Sequence, residues 1–156
     1  MGIMPPYDPL RDPQLAWAIG RVLRIVPERP TWSRPGTISF AVDEVLRGEL
    51  PSAIELPFGP PREAEQAYFY AQREAGAPPW DAATQARVAA RRAELDARLV
   101  DVPAIGAVIG VWLAHDTAGW HVPTARVFGA MPFPLRSRWV EAPHLEALRR
   151  SLAAVR

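Results

Sequence analysis

The segment at 37–43 alternates apolar residues with polar or small ones, and this pattern restricts the fold more than any other feature. The apolar positions are Ile38, Phe40 and Val42. This is the period of a β-strand with one face buried and the other face in water. Apolar runs at 17–26 and 53–58 lie on either side of it. The region from Trp17 to Phe58 therefore predicts three consecutive strands around which the rest of the chain is arranged.

Two residues modify these strands. In the first strand, the alternation of apolar and polar positions shifts by one residue near Gly20. This shift predicts a bulge or a tight bend. In the third strand, Ile54, Leu56 and Phe58 share one face. Pro57 removes a ladder donor there, which favours an edge position or a strand end.

The composition changes after residue 61, where Ala, Glu, Gln and Arg dominate. Residues 62–75 and 81–100 are predicted to be helices, with Asp81 capping the second one. Val88, Leu95 and Leu99 form one stripe of the second helix, while alanines fall nearly opposite, at Ala86, Ala90, Ala93 and Ala97. These two segments form a predicted helical insert at 62–100.

The C-terminal third of the chain predicts two more strands and a helix. Residues 104–114 are predicted to be a buried strand, because the run is short, apolar and followed by a turn sequence. Residues 120–130 are its predicted hairpin partner. Leucines recur at helical spacing over 143–155, which predicts a last helix.

This order predicts a mainly β protein with helices. We expect a five-stranded OB-like Greek-key barrel, with the helical insert between strands 3 and 4 and a C-terminal helix. Residues 1–13 contain four prolines and are expected to form an extended, loosely held arm, and 14–156 a single OB-like domain. An open α+β sheet with helices on one face is the competing architecture.

The strand motifs also resemble a known family. The segments IGRV at 19–22 and ISFAVDEVLRG at 38–48, followed by a later apolar strand that ends in a turn, are similar to the OB-type domain of the netrin-like and metalloproteinase-inhibitor superfamily. The resemblance covers 17–58 and 104–130 and implies the OB fold. The Cys residues of that family are all absent here, so its protease-inhibiting function is not carried over.

Composition restricts the classes of function. A chain of 156 residues without Cys has no disulfide, no thiolate metal site and no Cys nucleophile. Its net charge of +1 gives no general reason to bind nucleic acid or a membrane surface. The N-terminal residues lack the pattern of a signal peptide, and no apolar run is long enough to cross a bilayer. We therefore expect a cytoplasmic protein without a membrane partner.

Three residues around the predicted turn of the last hairpin are candidate metal ligands: His115, Asp116 and His121. Imidazole nitrogens and a carboxylate oxygen are suitable ligands for zinc or iron. The competing interpretation is a solvated polar turn. A metal-dependent enzyme built on these residues is the third hypothesis for function, and no cofactor is expected otherwise.

Two predicted loops place a Trp next to arginines. Trp32 is close in sequence to Arg34, and Trp139 to Arg136. Aromatic rings beside cations are how OB barrels hold single-stranded nucleic acid, although Arg also packs on Trp for structural reasons. Single-stranded nucleic-acid binding is therefore the second hypothesis.

Three consecutive aromatic residues, Tyr68, Phe69 and Tyr70, cannot all point to the same side of a helix. Part of the cluster is therefore expected to be exposed or to contact a partner, with core packing as the structural alternative. The leading hypothesis is a non-enzymatic binding or assembly module. It would recognise a protein partner, or a second copy of itself, through the helical insert and the Pro-rich loops.

Overall fold

The computed structural model of the protein describes residues 8–61, 63–123, 131–136 and 138–155. Its elements follow the predicted order of three strands, two helices, two strands and a terminal helix. They are β1 (Ala16–Val26), β2 (Gly36–Arg47), β3 (Ala53–Phe58), α1 (Glu63–Glu74), α2 (Ala82–Asp96), β4 (Val108–Asp116), β5 (Gly119–His121) and α3 (Leu145–Ala154), with a 3₁₀ turn at Ala142–His144 before α3.

The five strands form one sheet in the order β3-β2-β1-β4-β5. The first four therefore follow the Greek-key order, in which the fourth strand returns to lie beside the first. The predicted five-stranded antiparallel sheet, the helical insert between β3 and β4, and the C-terminal helix are confirmed. Among the described residues, no pairing joins the edge strands β3 and β5. Closure into an OB-like barrel therefore stays a prediction.

The strand pattern predicted from the sequence agrees with the observed burial. Ile38 and Phe40 of β2 are buried, as are Ile54, Leu56 and Phe58 of β3. β3 is an edge strand, which explains why it tolerates a proline that cannot donate to a ladder.

Gly20 lies where two strands approach closely. Ala16 to Arg21 pair with Leu113 to Val108 without interruption, so β1 has no bulge against β4. A Cβ atom at Gly20 would lie 2.0 Å from the carbonyl oxygen of Ala41 and 2.6 Å from the ring of Phe40. Glycine is required here because β2 approaches the backbone of β1 too closely for any side chain.

The chain divides into two compact units. The sheet unit comprises Met1–Ile25, Ile38–Pro57 and Pro103–Arg156, and the hairpin unit comprises Val26–Thr37 and Phe58–Val102. The expected single domain over 14–156 stays a prediction, since two compact units can belong to one domain.

The sheet unit has a core of large apolar side chains. Trp17 and Trp112 are fully buried, and their ring centroids lie 5.6 Å apart. Helix α3 buries three leucines, Leu145, Leu148 and Leu152. Its close approach to β4 depends on Gly110, where a Cβ atom would lie 2.6 Å from Leu148.

Several predicted boundaries need correction. Helix α2 ends at Asp96, and Leu99 is 64% exposed, so Leu99 does not belong to the buried stripe. Residues 8–13 are not a loosely held arm. Leu10 is buried, and the Trp17 indole donates a hydrogen bond to the Pro9 carbonyl at 3.3 Å. Residues 1–7 of the predicted arm and 124–130 of the predicted hairpin partner lie outside the described residues.

Candidate functional site

An open groove of about 640 Å³ lies within the hairpin unit. Both helices and the loop at 27–35 contribute to its lining, which includes Ser33, Tyr68, Phe69, Gln72, Val88 and Arg92. On α1, Tyr68 and Gln72 are four residues apart, and on α2, Val88 and Arg92 are also four apart. This spacing places each pair on one helical face, so the two helices form facing walls.

The helix start that positions the α2 wall is fixed by a side-chain cap. The backbone N–H of Thr84 donates to Asp81 Oδ1 at 2.7 Å. This hydrogen bond stabilises the negative charge and lowers the pKa of the Asp81 carboxyl below its ordinary value of 3.8. The predicted N-cap at Asp81 is confirmed.

A hydrogen bond joins the two walls. The Tyr68 hydroxyl donates to Asp96 Oδ1. This bond, followed by partial desolvation, raises the pKa of Tyr68 above its ordinary value of 10.0, so the phenol stays protonated as a donor. The Arg92 guanidinium lies over the same ring, 5.9 Å from its centroid. The ring orientation of Tyr68 is thus held from two sides.

The loop at 27–35 is hydrogen-bonded to the end of α2 and to the chain that follows it. The backbone N–H of Trp32 donates to the Arg98 carbonyl at 2.9 Å, and Val100 donates back to Pro30 at 2.9 Å. The Ser33 hydroxyl donates to the Asp96 carbonyl at 3.0 Å. These bonds hold the loop as one side of the groove.

Trp32 is packed against its own chain. Its ring lies 5.9 Å from that of Tyr68 at an angle of 60°, and the Arg98 guanidinium lies 5.3 Å from the Trp32 centroid. The indole is therefore only partly accessible, with a tyrosine and a cation as neighbours.

Phe69 and Tyr70 are exposed on the surface of α1. Phe69 is 58% exposed and Tyr70 is 48% exposed. Their centroids lie 5.9 Å apart in an edge-to-face arrangement, and the Gln66 amide donates to the Tyr70 hydroxyl at 3.4 Å. The structural alternative, in which the whole cluster packs into the core, does not hold for these two rings.

The candidate nucleic-acid residues are found in two different environments. Arg34 is exposed in the hairpin unit, whereas Arg136 and Trp139 belong to the sheet unit. Trp139 is 2% exposed, so its ring has no free face for a base. Arg136 lies 3.8 Å from the Glu141 carboxylate, which offsets its charge.

The candidate metal ligands lie on two faces of the β4–β5 hairpin. His121 Nδ1 lies 3.5 Å from Asp116 Oδ2. His115 is opposite Trp120 in the register, and their rings lie 4.7 Å apart. Adjacent strand residues point to opposite faces, so His115 is separated from Asp116. Within the described ranges, no group of three His, Asp or Glu side chains is placed to hold a metal ion.

Several residues of the groove are not among the site residues predicted from the sequence. Val88 and Arg92 were detectable in principle, because with Asp96 they repeat every four residues along one face of α2. The contribution of Ser33 was not detectable, because it depends on hydrogen bonds from the loop to Asp96, which lies 63 residues later in the chain.

Comparison with known proteins gives no family. The sequence matches no protein-family model, and no curated protein and no solved structure matches it. None of the helices among the described residues is long and apolar enough to span a membrane.

Proposed function

We propose that this chain is a binding module that recognises a protein partner through the groove of the hairpin unit. The observation that carries this proposal is the exposure of Phe69 at the rim of a groove already shaped by Tyr68, Val88 and Arg92. Aromatic anchors surrounded by polar groups are the usual centres of protein interfaces.

The exposed ring favours binding energetically. Burying a whole Phe side chain stabilises a complex by roughly 1.5–3 kcal/mol. Since Phe69 is 58% exposed, more than half of that area remains for a partner to cover. The fixed ring of Tyr68 adds a surface that loses little conformational entropy on binding.

The shape of the groove favours an amphipathic helix as the bound segment. Its walls are two helices of 12 and 15 residues. A third helix that places apolar residues at i, i+3 or i+4, and i+7 would fill such a groove. Gln72 and Arg92 would then offer hydrogen-bond donors to its polar edge.

A selection experiment tests this function. A displayed library of helical peptides is selected against the whole chain, and the best binders are titrated against Phe69→Ser and Leu23→Ser. Leu23 is a matched control, because it is 53% exposed but lies in the sheet unit. We expect Phe69→Ser to weaken binding roughly tenfold or more and Leu23→Ser to leave it unchanged. Binders that ignore Phe69 would contradict the proposal.

A second candidate function is the binding of single-stranded nucleic acid. The stacking of Arg98 on Trp32, with exposed Arg34 in the same unit, supports it. Quenching of tryptophan fluorescence by oligonucleotides, measured at two salt concentrations, tests it. Binding that weakens steeply with salt and is lost in Trp32→Leu supports this function. Saturable quenching that does not depend on salt would argue against it.

We also propose that the chain has an OB-like architecture and is related to the netrin-like superfamily. Both proposals are supported by the Greek-key order of β3-β2-β1-β4 and by the position of the helical insert between β3 and β4. An OB-type barrel would bring β3 and β5 together. Nuclear Overhauser contacts between these two strands would support closure, and two solvent-exchanging edges would oppose it.

A further inference from the structure

The groove of the hairpin unit carries its charges unevenly along its length. The hydrogen bond between Tyr68 and Asp96 places the first half of α1 beside the end of α2. Glu65 lies one turn before Tyr68 and lines this end of the groove together with Asp96. Towards the other end, the lining includes Gln72 and Val88, which are uncharged. Two carboxylates therefore mark one end of the groove, named here the acidic end.

Two of the charged side chains that line the groove are engaged within the chain. The Asp96 carboxylate accepts the hydrogen bond of the Tyr68 hydroxyl, and the Arg92 guanidinium lies over the same ring, 5.9 Å from its centroid. Arg92 also lies four residues before Asp96 on the same helix, so its charge partly offsets that of Asp96. Glu65 is exposed, and no described residue forms an ion pair or a hydrogen bond with its side chain. The acidic end thus keeps its excess negative charge at Glu65.

The start of a helix by itself favours acidic residues, because they interact well with the helix dipole. Glu63 meets this requirement in the same turn of α1, where it is also exposed. Two residues along a helix differ by about 200° in direction at 3.6 residues per turn. Glu63 therefore lies on another side of α1 and is not part of the groove lining. The dipole explains an acidic first turn, but it does not explain a carboxylate in the groove.

We propose that the segment bound in the groove carries a basic residue that pairs with Glu65, so that the partner presents a basic amphipathic helix. The pairing rests on the proposed function of the groove and adds the charge of the partner to it. A basic side chain suits the position for two reasons. Its cationic head meets the Glu65 carboxylate, and its apolar stem lies along the exposed ring of Phe69.

The spacing of the groove residues predicts the spacing of the bound residues. Glu65 and Phe69 are four residues apart on α1, which is about 6 Å at 1.5 Å per residue. A helix lying along α1 rises by the same amount, so its basic residue should stand three or four positions from the apolar residue that covers Phe69. A further apolar residue, about seven positions from the basic one, would reach Gln72 and Val88.

The ion pair with Glu65 should provide specificity more than affinity. Exposed ion pairs contribute little to stability, because both charges are well solvated before they meet. Charges at the edge of an interface act mainly on the association rate and on its salt dependence. An acidic residue in the same place would bring like charges together. The groove should therefore reject acidic helices that have the same apolar pattern.

Peptides that differ only in charge test the contact. The probe is a helical peptide selected from the displayed library against the whole chain, with its basic residue at this spacing remade as Lys, Gln or Glu. For the wild type, we expect the Gln peptide to bind about threefold and the Glu peptide roughly tenfold more weakly than the Lys peptide. Equal affinity for the three peptides would overturn the proposal, as would selected binders that lack a basic residue at this spacing.

Charge reversal on the chain tests the same contact from the other side. Glu65→Arg should invert the order of the peptides, so that the Glu peptide binds more tightly than the Lys peptide. Glu63→Arg removes an acidic residue from the same turn of α1 but outside the groove, and it should keep the wild-type order. Equal changes in both variants would assign the effect to the stability of α1 and overturn the contact with Glu65.

Association kinetics provide a readout that a merely structural role of Glu65 would not change. For the Lys peptide, Glu65→Gln should slow association severalfold and reduce its salt dependence, while the dissociation rate changes little. An unchanged association rate would contradict the pairing. The variant Phe69→Ser separates this pairing from the function of the groove. Binding that requires Phe69 but ignores Glu65 would overturn only the basic partner, whereas binding that ignores Phe69 would overturn both.

Discussion

The two units of the molecule differ in how many large apolar side chains they bury. The sheet unit has a core in which Trp17, Trp112 and Leu148 are almost completely inaccessible, although Leu23 and Ile105 are exposed on its surface. The helices of the hairpin unit bury only Ala64 and Leu95 and leave Phe69 on the surface. Burial of apolar area provides most of the folding free energy. We infer that the sheet unit contributes most of the stability, while the hairpin unit offers a surface for recognition.

This difference also has consequences for dynamics. Helices of 12 and 15 residues are marginal in water without packing against other elements. Regions with few buried contacts open locally at a lower free energy than the core. The hairpin unit should therefore be the first part of the chain to open, and a partner in its groove should reduce that opening.

Removing one aromatic side chain from each unit should give the largest difference in the free energy of unfolding. Trp17→Ala leaves a cavity beside Trp112 and removes the bond to Pro9, and should lower the free energy of unfolding by about 3–5 kcal/mol. Phe69→Ala should change it by less than about 0.5 kcal/mol, because the ring is exposed. Urea denaturation of both variants measures these values. Similar losses of unfolding free energy in the two variants would show that the two units do not differ in their contribution to stability.

Replacing one glycine in each unit by alanine should give a smaller difference in stability. Gly20→Ala forces a Cβ against the Ala41 carbonyl oxygen and should cost about 3 kcal/mol, the upper part of the range for overpacking. Gly59→Ala in the hairpin unit is the matched control. Its nearest atom would be a Pro35 carbon at 3.8 Å, which is an ordinary contact, so its melting temperature should be nearly unchanged. A fully stable Gly20→Ala would mean that β1 and β2 do not approach so closely.

Acid should destabilise the first turn of α2 in the hairpin unit, because it protonates the capping residue Asp81. Because the folded pKa of Asp81 is lowered, its contribution to stability is present above its unfolded pKa of about 3.8 and is lost as pH falls through the folded value. The N-terminal turn of α2 should therefore fray below about pH 3.8. The exchange rate and chemical shift of the Thr84 amide report on this turn.

The variant Asp81→Asn provides the control for the acid effect. Asparagine also caps helices well but does not titrate in this range. Its Thr84 amide should show little change over the same pH interval. An identical acid transition in the wild type and in Asp81→Asn would place the titrating group elsewhere.

The sheet was predictable from the sequence because its signals are local. Alternation around Phe40, the proline at 57 and the apolar run of β4 each act within a few residues, and all three strands are present. The start of β4 was predicted at 104 but lies at Val108, and Ile105 is exposed in the preceding turn. The reason for Gly20 was not predictable, because it depends on the backbone of another strand at Ala41. The end of α2 was missed because Leu99 continues the helical pattern, although it pairs instead with Thr31 in an isolated bridge.

The candidate site was predictable only in part. An aromatic triplet on a helix cannot be buried on every side, and this alone indicated that some of Tyr68, Phe69 and Tyr70 would be exposed. The bond from Tyr68 to Asp96 and the stacking of Arg98 on Trp32 join residues that are distant in sequence. Periodicity within one helix cannot reveal contacts of this kind. For the same reason, Trp139 resembled Trp32 in the sequence but belongs to the core.

Hydrogen exchange of the backbone amides tests the division between the two units most directly. We expect amides of α1 and α2 to exchange through local openings that depend little on denaturant, with free energies clearly below those of β1 and β4. The most protected amides of β1 and β4 should exchange only through global unfolding. If the amides of α1 and α2 instead showed the same free energy and denaturant dependence as those of the sheet, the hairpin would be part of the stable core, and its role as a separate recognition surface would be contradicted.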